Sequence, residues 1–247
     1  MIPRPMNSTL MICLALGMRH AVDPDHLTAI DGLCRVRPRK TNGVLFALGH
    51  GLVVTVLAVG VGTVIADRVS FLGPWMLIGI GTVTLWKLLQ LPARPTPLKR
   101  PIIAQPFLLG MLLAAGFETA SQLSALVLAD LTNPWLLGVV FTGGMVLVDG
   151  TDGYLATSTQ NLAATGARNA QSASRWLGIL VVVFSFALGT TRLLGLDVDR
   201  FALPVGLGLF VVVIGLRVWA RGGLRPVRVP LAFSRMLERS TPSKGGL

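Results

Sequence analysis

The chain has 247 residues, of which 52% are hydrophobic and only 13% charged. It is too apolar for an ordinary soluble domain and has the composition of a polytopic membrane protein. Its 22 Lys and Arg against 11 Asp and Glu would suggest nucleic acid in a soluble protein. Here the basic residues lie between apolar runs, which reads as topology and excludes nucleic acid as a partner. Cys13 and Cys34 fall in or beside an apolar run with no paired spacing, so neither a disulfide framework nor a cysteine-based zinc site is expected.

A bilayer core of about 30 Å takes roughly 20 apolar residues per helix. By that measure seven spans are predicted, at 7–31, 43–66, 70–91, 104–130, 134–160, 174–195 and 202–220. The expected fold is all-α, a single transmembrane domain over residues 1–220 followed by a basic tail over 221–247. No small-residue cleavage site follows the first apolar run, so insertion is expected to rely on the first span itself. Alternate connections carry Lys and Arg very unevenly. Fifteen fall on one side, including Arg35, Arg37, Arg39, Lys40 and the tail, against four on the other, Arg4, Arg68, Arg192 and Arg200. The positive-inside rule then puts the N-terminus outside and the tail in the cytoplasm, in a multi-pass protein of the cell (inner) membrane. Spans one and four share an ending, LTAI against LSAL. A period of three helices would make a 3+3 inverted repeat plus one extra helix, an architecture common among secondary transporters.

Polar residues inside the predicted spans are clustered. Span one carries His20, Asp23, Asp25 and His26, span two His50, span four Glu118 and Gln122, and span five Asp149 and Asp152. Charged groups at membrane depth cost several kcal/mol unless they pair or line a wet cavity. His20 and His50 both fall near mid-membrane at about 1.5 Å of rise per residue. Pro24 removes a helical hydrogen bond and disfavours helix at Asp23, so a kink or break is predicted there. Such a break turns Asp25 and His26 back toward His20. Imidazoles with carboxylates suit borderline divalent ions such as nickel, cobalt or zinc better than magnesium or calcium. The candidate ligands are therefore His20, Asp25, His26 and His50. Asp23, Glu118, Asp149 and Asp152 are candidates for supporting the ligands or relaying protons, as alternatives to direct ligation.

The segment RHAVDPDH, with His20 and the Asp25–His26 pair, resembles the signature of the nickel/cobalt transporter (NiCoT) family of the NicO superfamily. LGHGLVV at 48–54, AGFETASQ at 115–122 and GMVLVDGTDG at 144–153 are similar to three further motifs of that family, in the same order. The resemblance covers residues 16 to 153; the remaining chain matches only in general character. It implies an ATP-independent permease for uptake of Ni2+ or Co2+, in which the metal is cargo and no prosthetic group is needed. It also implies central roles for His20, Asp25 and His26, with support from His50, Glu118, Asp149 and Asp152. Glu118 stands where the family usually has Asp, Gln122 where it has Glu, and Gly51 and Gly150 where it has hydroxyl residues. The signature also falls on the first predicted span, where the family carries it on the second. The rival readings are an intramembrane zinc enzyme held by the three histidines, a metal-binding accessory without flux, and efflux in place of uptake. The enzyme reading lacks a His-Glu-x-x-His helix.

Overall fold

The computed structural model describes residues 6–58, 71–90, 105–116, 133–196 and 199–222, and among these all regular structure is helical. The helices are α1 (Met6–His20), α2 (Pro24–Val36), α3 (Asn42–Ala58), α4 (Leu72–Leu89), α5 (Pro106–Gly116), α6 (Pro134–Ala164), α7 (Arg168–Leu193) and α8 (Asp199–Gly222). Four of them, α4 and α6 to α8, are long and apolar enough to cross a membrane on their own; α3 and α5 are shorter apolar helices. The predicted first span is two helices in tandem. The residues of the second and fourth predicted spans beyond Ala58 and Gly116 lie outside the described residues, as do Glu118, Gln122 and the tail from 223.

The break in the first span follows from Pro24. Proline has no N–H to give to a preceding turn, so the chain restarts with Pro24 at the first helical position and Asp23 extended before it (φ −61°, ψ 145°). The turn is closed by Asp23 N–H donating to the His20 carbonyl at 3.0 Å and His26 N–H donating to the Asp23 carbonyl at 3.1 Å. The carbonyl end of α1 and the amide end of α2 thus meet at one level. At the far end of α2, Lys87 of α4 donates through Nζ to the carbonyls of Arg35 (3.0 Å) and Val36 (3.2 Å), satisfying two of the free carbonyls at the helix terminus.

The protein is apolar outside and polar within. All five tryptophans, Trp75, Trp86, Trp135, Trp176 and Trp219, are 45–57% exposed, whereas His20, His26, His50 and Asp149 are 0% exposed. That inversion suits a lipid solvent, where burial of hydrocarbon contributes little and helices associate by close packing. α6 is the central post: α1, α2 and α3 all pack on it, while α3 also packs on α5, α4 on α7, and α7 on α8. The α1–α6 approach depends on glycine. A Cβ at Gly144 would meet the Leu14 carbonyl, and one at Gly17 the Phe141 carbonyl. Two apolar clusters flank the middle of the bundle. One holds Cys13, Leu137, Phe141 and Met145, the other Ile30, Phe46, Leu77 and Leu109. The polar centre lies between them.

Candidate metal centre

Three helices converge on the break. α1 ends in His20, α2 places His26 in its first turn, and α3 brings His50 from the facing side. The three rings are mutually in contact, with centroids 4.5 Å apart for His20–His26, 4.9 Å for His20–His50 and 4.5 Å for His26–His50. One ring nitrogen from each lies within 4.8 Å of the others. The rings are walled by Phe141 (5.6 Å from His20) and Phe46 (5.0 Å from His26), one from each apolar cluster. These walls keep bulk water out and raise the strength of every electrostatic interaction inside.

Carboxylates orient the imidazoles. Asp149 Oδ2 of α6 lies 3.1 Å from His26 Nδ1, and Asp23 Oδ2 lies 3.2 Å from His20 Nδ1. An ionised carboxylate only accepts, so each Nδ1 carries the proton and each Nε2 presents a lone pair. This is the carboxylate–histidine arrangement by which proteins fix the tautomer and basicity of a metal-binding ring. His20 Nε2 faces His50 Nε2 at 2.9 Å. Two nitrogens each about 2.1 Å from one ion, at a right angle, would sit about 3.0 Å apart, so this pair has the spacing of adjacent ligands. His26 Nε2, Asp25 Oδ2, Asp23 Oδ1 and Asp149 Oδ1 are buried without hydrogen-bond partners among the described residues. Leaving such atoms bare in a low-dielectric interior costs about 1–3 kcal/mol each, and all four are of the kind a cation accepts.

The residues singled out from sequence are distributed as follows. His20, His26 and His50 come together; Asp23 and Asp149 hold two of them; Asp25 is buried beside them on the first turn of α2, 6% exposed. Asp149 is held close to α3 because Gly43 lets the chains touch: a Cβ there would meet the Asp149 carbonyl. Asp152 lies one turn further along α6 and is engaged by Arg217 of α8, through both of its carboxylate oxygens and its backbone carbonyl. Glu118 lies outside the described residues. Sequence reasoning missed Arg217 and its second partner Asp31, which accepts from Arg217 Nη2 at 3.2 Å. An arginine in an apolar run, GLRVWA, and an aspartate after LTAI were the available signals.

Fold and centre define a class: a multi-pass α-helical membrane protein with a buried imidazole–carboxylate cluster. Residues 7–71 match the NicO family, described as high-affinity nickel-transport protein. The chain is 26% identical over 264 aligned positions to the high-affinity nickel transport protein of Cupriavidus necator, covering 84% of this chain and 74% of that one. It is 24% identical over 261 positions to the nickel transporter NixA of Staphylococcus aureus (83% and 76%). Over 53 residues, 19% of this chain and 15% of the other, it is 47% identical to the cobalt transport protein NhlF of Rhodococcus rhodochrous. No solved structure matches. The chain is thus similar to the NicO family over residues 7–71 and, over most of its length, to proteins named as transporters and not as enzymes.

Proposed function

We infer that this protein is a secondary permease for divalent transition-metal ions, Ni2+ or Co2+. In this reading the ion sheds water and is held between α1, α2 and α3 by His20, His26, His50 and Asp25. The observation that carries it is the convergence of three imidazoles, two of them held by carboxylates, beside buried lone-pair atoms that have no hydrogen-bond partner among the described residues. The names of the relatives support the metal and the transport.

Nitrogen-rich ligation with one or two carboxylates favours Ni2+, Co2+ and Zn2+ over Mg2+ and Ca2+. Asp23 and Asp149 act through His20 and His26, raising their basicity and fixing their direction. The break at residues 21–23 places His20 on one rigid segment and Asp25 and His26 on another, so a change of angle between α1 and α2 opens or closes the ligand set. Discontinuous helices serve this purpose at the midplane sites of other transporters. With the N-terminus outside and the 35–40 connection in the cytoplasm, inward movement of a dication is driven by about 4.6 kcal/mol per 100 mV, twice the value for one charge. Uptake is thus the favoured direction.

Purified protein in liposomes, assayed for flux across a panel of divalent ions, tests the reading. Ni2+ or Co2+ should accumulate under an inside-negative potential, and His20→Ala or Asp25→Asn should abolish this while the protein remains folded. Undiminished accumulation in both variants would sink the proposal.

A further inference from the structure

The surfaces of α2 and α6 that face each other carry more polar residues than the metal centre uses, and these residues are layered. The first layer is His26 with Asp149. The second begins five residues further along α2 and three further along α6, about 7.5 Å and 4.5 Å at 1.5 Å per residue. There Arg217, 1% exposed, donates to Asp31 Oδ1, to both Asp152 carboxylate oxygens and to the Asp152 carbonyl. Arg35 Nη2 stands 3.8 Å from the other Asp31 oxygen and also donates to the Ser174 carbonyl of α7. The third layer is Cys34, whose Sγ lies 3.6 Å from the Gly153 carbonyl and receives Thr157 Oγ1–H at 3.5 Å and Asn42 Nδ2–H at 3.6 Å. Asn42 Nδ2 also donates to the Arg37 carbonyl at 2.8 Å, where the chain reaches the connection between α2 and α3. The layers run without interruption from the metal centre to that connection.

Helix packing alone does not call for this. Helices associate in lipid through small residues, and a buried arginine with two buried aspartates is expensive there. A neutral seam of apolar side chains would join α2 to α6 equally well. What the layered groups provide is a succession of oxygen and sulfur donors along one line, with a fixed cation across the middle.

We propose that the α2–α6 seam is the ion's passage between the three-histidine centre and the 37–41 connection, and that Arg217 is its gate. This rests on the permease reading. In the arrangement seen, the guanidinium occupies both carboxylates and bars a dication by charge. When α8 moves aside, Asp31 and Asp152 receive the ion that His26 releases, and Arg217 returns behind it. The guanidinium thus stands where the passing cation would stand.

The test compares binding with flux, using Co2+ alone as the probe. In Asp31→Asn/Asp152→Asn/Arg217→Met the three charges that meet in the seam are removed together, and Arg35, which loses Asp31, keeps its hydrogen bonds to Ser174. Co2+ binding in detergent, read from visible absorption, should stay within about threefold of the unaltered protein, because the histidines are untouched. Initial Co2+ flux into liposomes should fall at least about tenfold, because the seam no longer offers charge to a dication. Unchanged or raised flux overturns the proposal. Loss of binding together with flux also overturns it, since the cluster would then only be holding the centre together. Arg217→Lys, which keeps the charge, should restore most of the flux; flux as low as in the triple variant overturns the gate.

A second measurement does not depend on the triple variant folding. In Cys13→Ala protein Cys34 is the remaining thiol of two. A membrane-impermeant methanethiosulfonate added from the side of the 37–41 connection should modify it faster during Co2+ flux than without Co2+, and should block flux. No modification during turnover overturns the passage. Unaltered protein that binds Co2+ but passes none would instead overturn the permease reading itself.

Discussion

Two neighbouring layers of the same pair of helices hold their charges in opposite ways. In the first, around His26 and Asp149, the atoms without a hydrogen-bond partner among the described residues are acceptors: His26 Nε2, Asp25 Oδ2, Asp23 Oδ1 and Asp149 Oδ1. In the second, one turn further on, Asp31 and Asp152 meet Arg217, and Asp31 also has Arg35 nearby. The first layer is short of positive charge and the second supplies its own. Burial is nearly the same in both, with His26 and Asp149 at 0%, Asp31 and Asp152 at 2%, so depth does not distinguish a ligand set from an ion cluster. The distinction lies in the sign of what has no hydrogen-bond partner among the described residues: acceptors in the first layer, against Arg217 Nε and Arg35 Nε beside Asp31 Oδ2 in the second.

The sharpest way to break that contrast is to empty the first layer. His26→Ala removes a proposed ligand and strips Asp149 of its partner, and metal binding measured by calorimetry should vanish. In the second layer the largest effect is on folding. Arg217→Ala leaves two buried carboxylates facing each other, at a cost of about 3–5 kcal/mol in stability, and a thermal melt in detergent should show a large fall with or without metal. Asp149→Asn keeps the shape of the first layer and removes its charge. Metal affinity should weaken by about 10- to 100-fold, the usual effect of losing a carboxylate behind a ligating histidine, while the melting temperature without metal should not fall. Gly43→Ala separates α3 from α6 at Asp149 and should weaken binding through geometry alone. At the small end, Trp176→Phe on the lipid-facing surface should change stability by less than about 0.5 kcal/mol and leave binding as it is. A Trp176→Phe effect as large as that of Asp149→Asn would mean the two layers are not the protein's special regions.

Much of the first layer is legible from the chain alone, and much of the second is not. Pro24 has only one stereochemical consequence for a helix, so the break between α1 and α2 follows from the letter itself. Three histidines at membrane depth are costly enough to announce a shared site. Arg217 is different. Arginines near span ends are common topology signals, and α8 runs to Gly222, so its position in the sequence does not set Arg217 apart from them. Only the packing of α8 against α2 and α6 turns its side chain inward. Asp152 was legible as a functional acid but not its partner, because that partner lies 65 residues away. The division of the first predicted span at 21–23 also shows a limit of counting apolar residues: a run long enough to cross a membrane is built here as two helices of 15 and 13 residues.

The start of α2 carries a debt that this division leaves unsettled. An aspartate before a helix usually folds its side chain over the first free amides, and losing that cap costs about 1 kcal/mol. Asp23 makes no such bond, its oxygen being turned to His20 instead. The first turn of α2 is therefore wound without its fastener, and it is the cheapest place in the helix to come undone. Amide protons at His26 and Leu27 should exchange with deuterium ahead of those at Ile30 and Leu33, so that α2 frays from the histidine end while its far end stays locked.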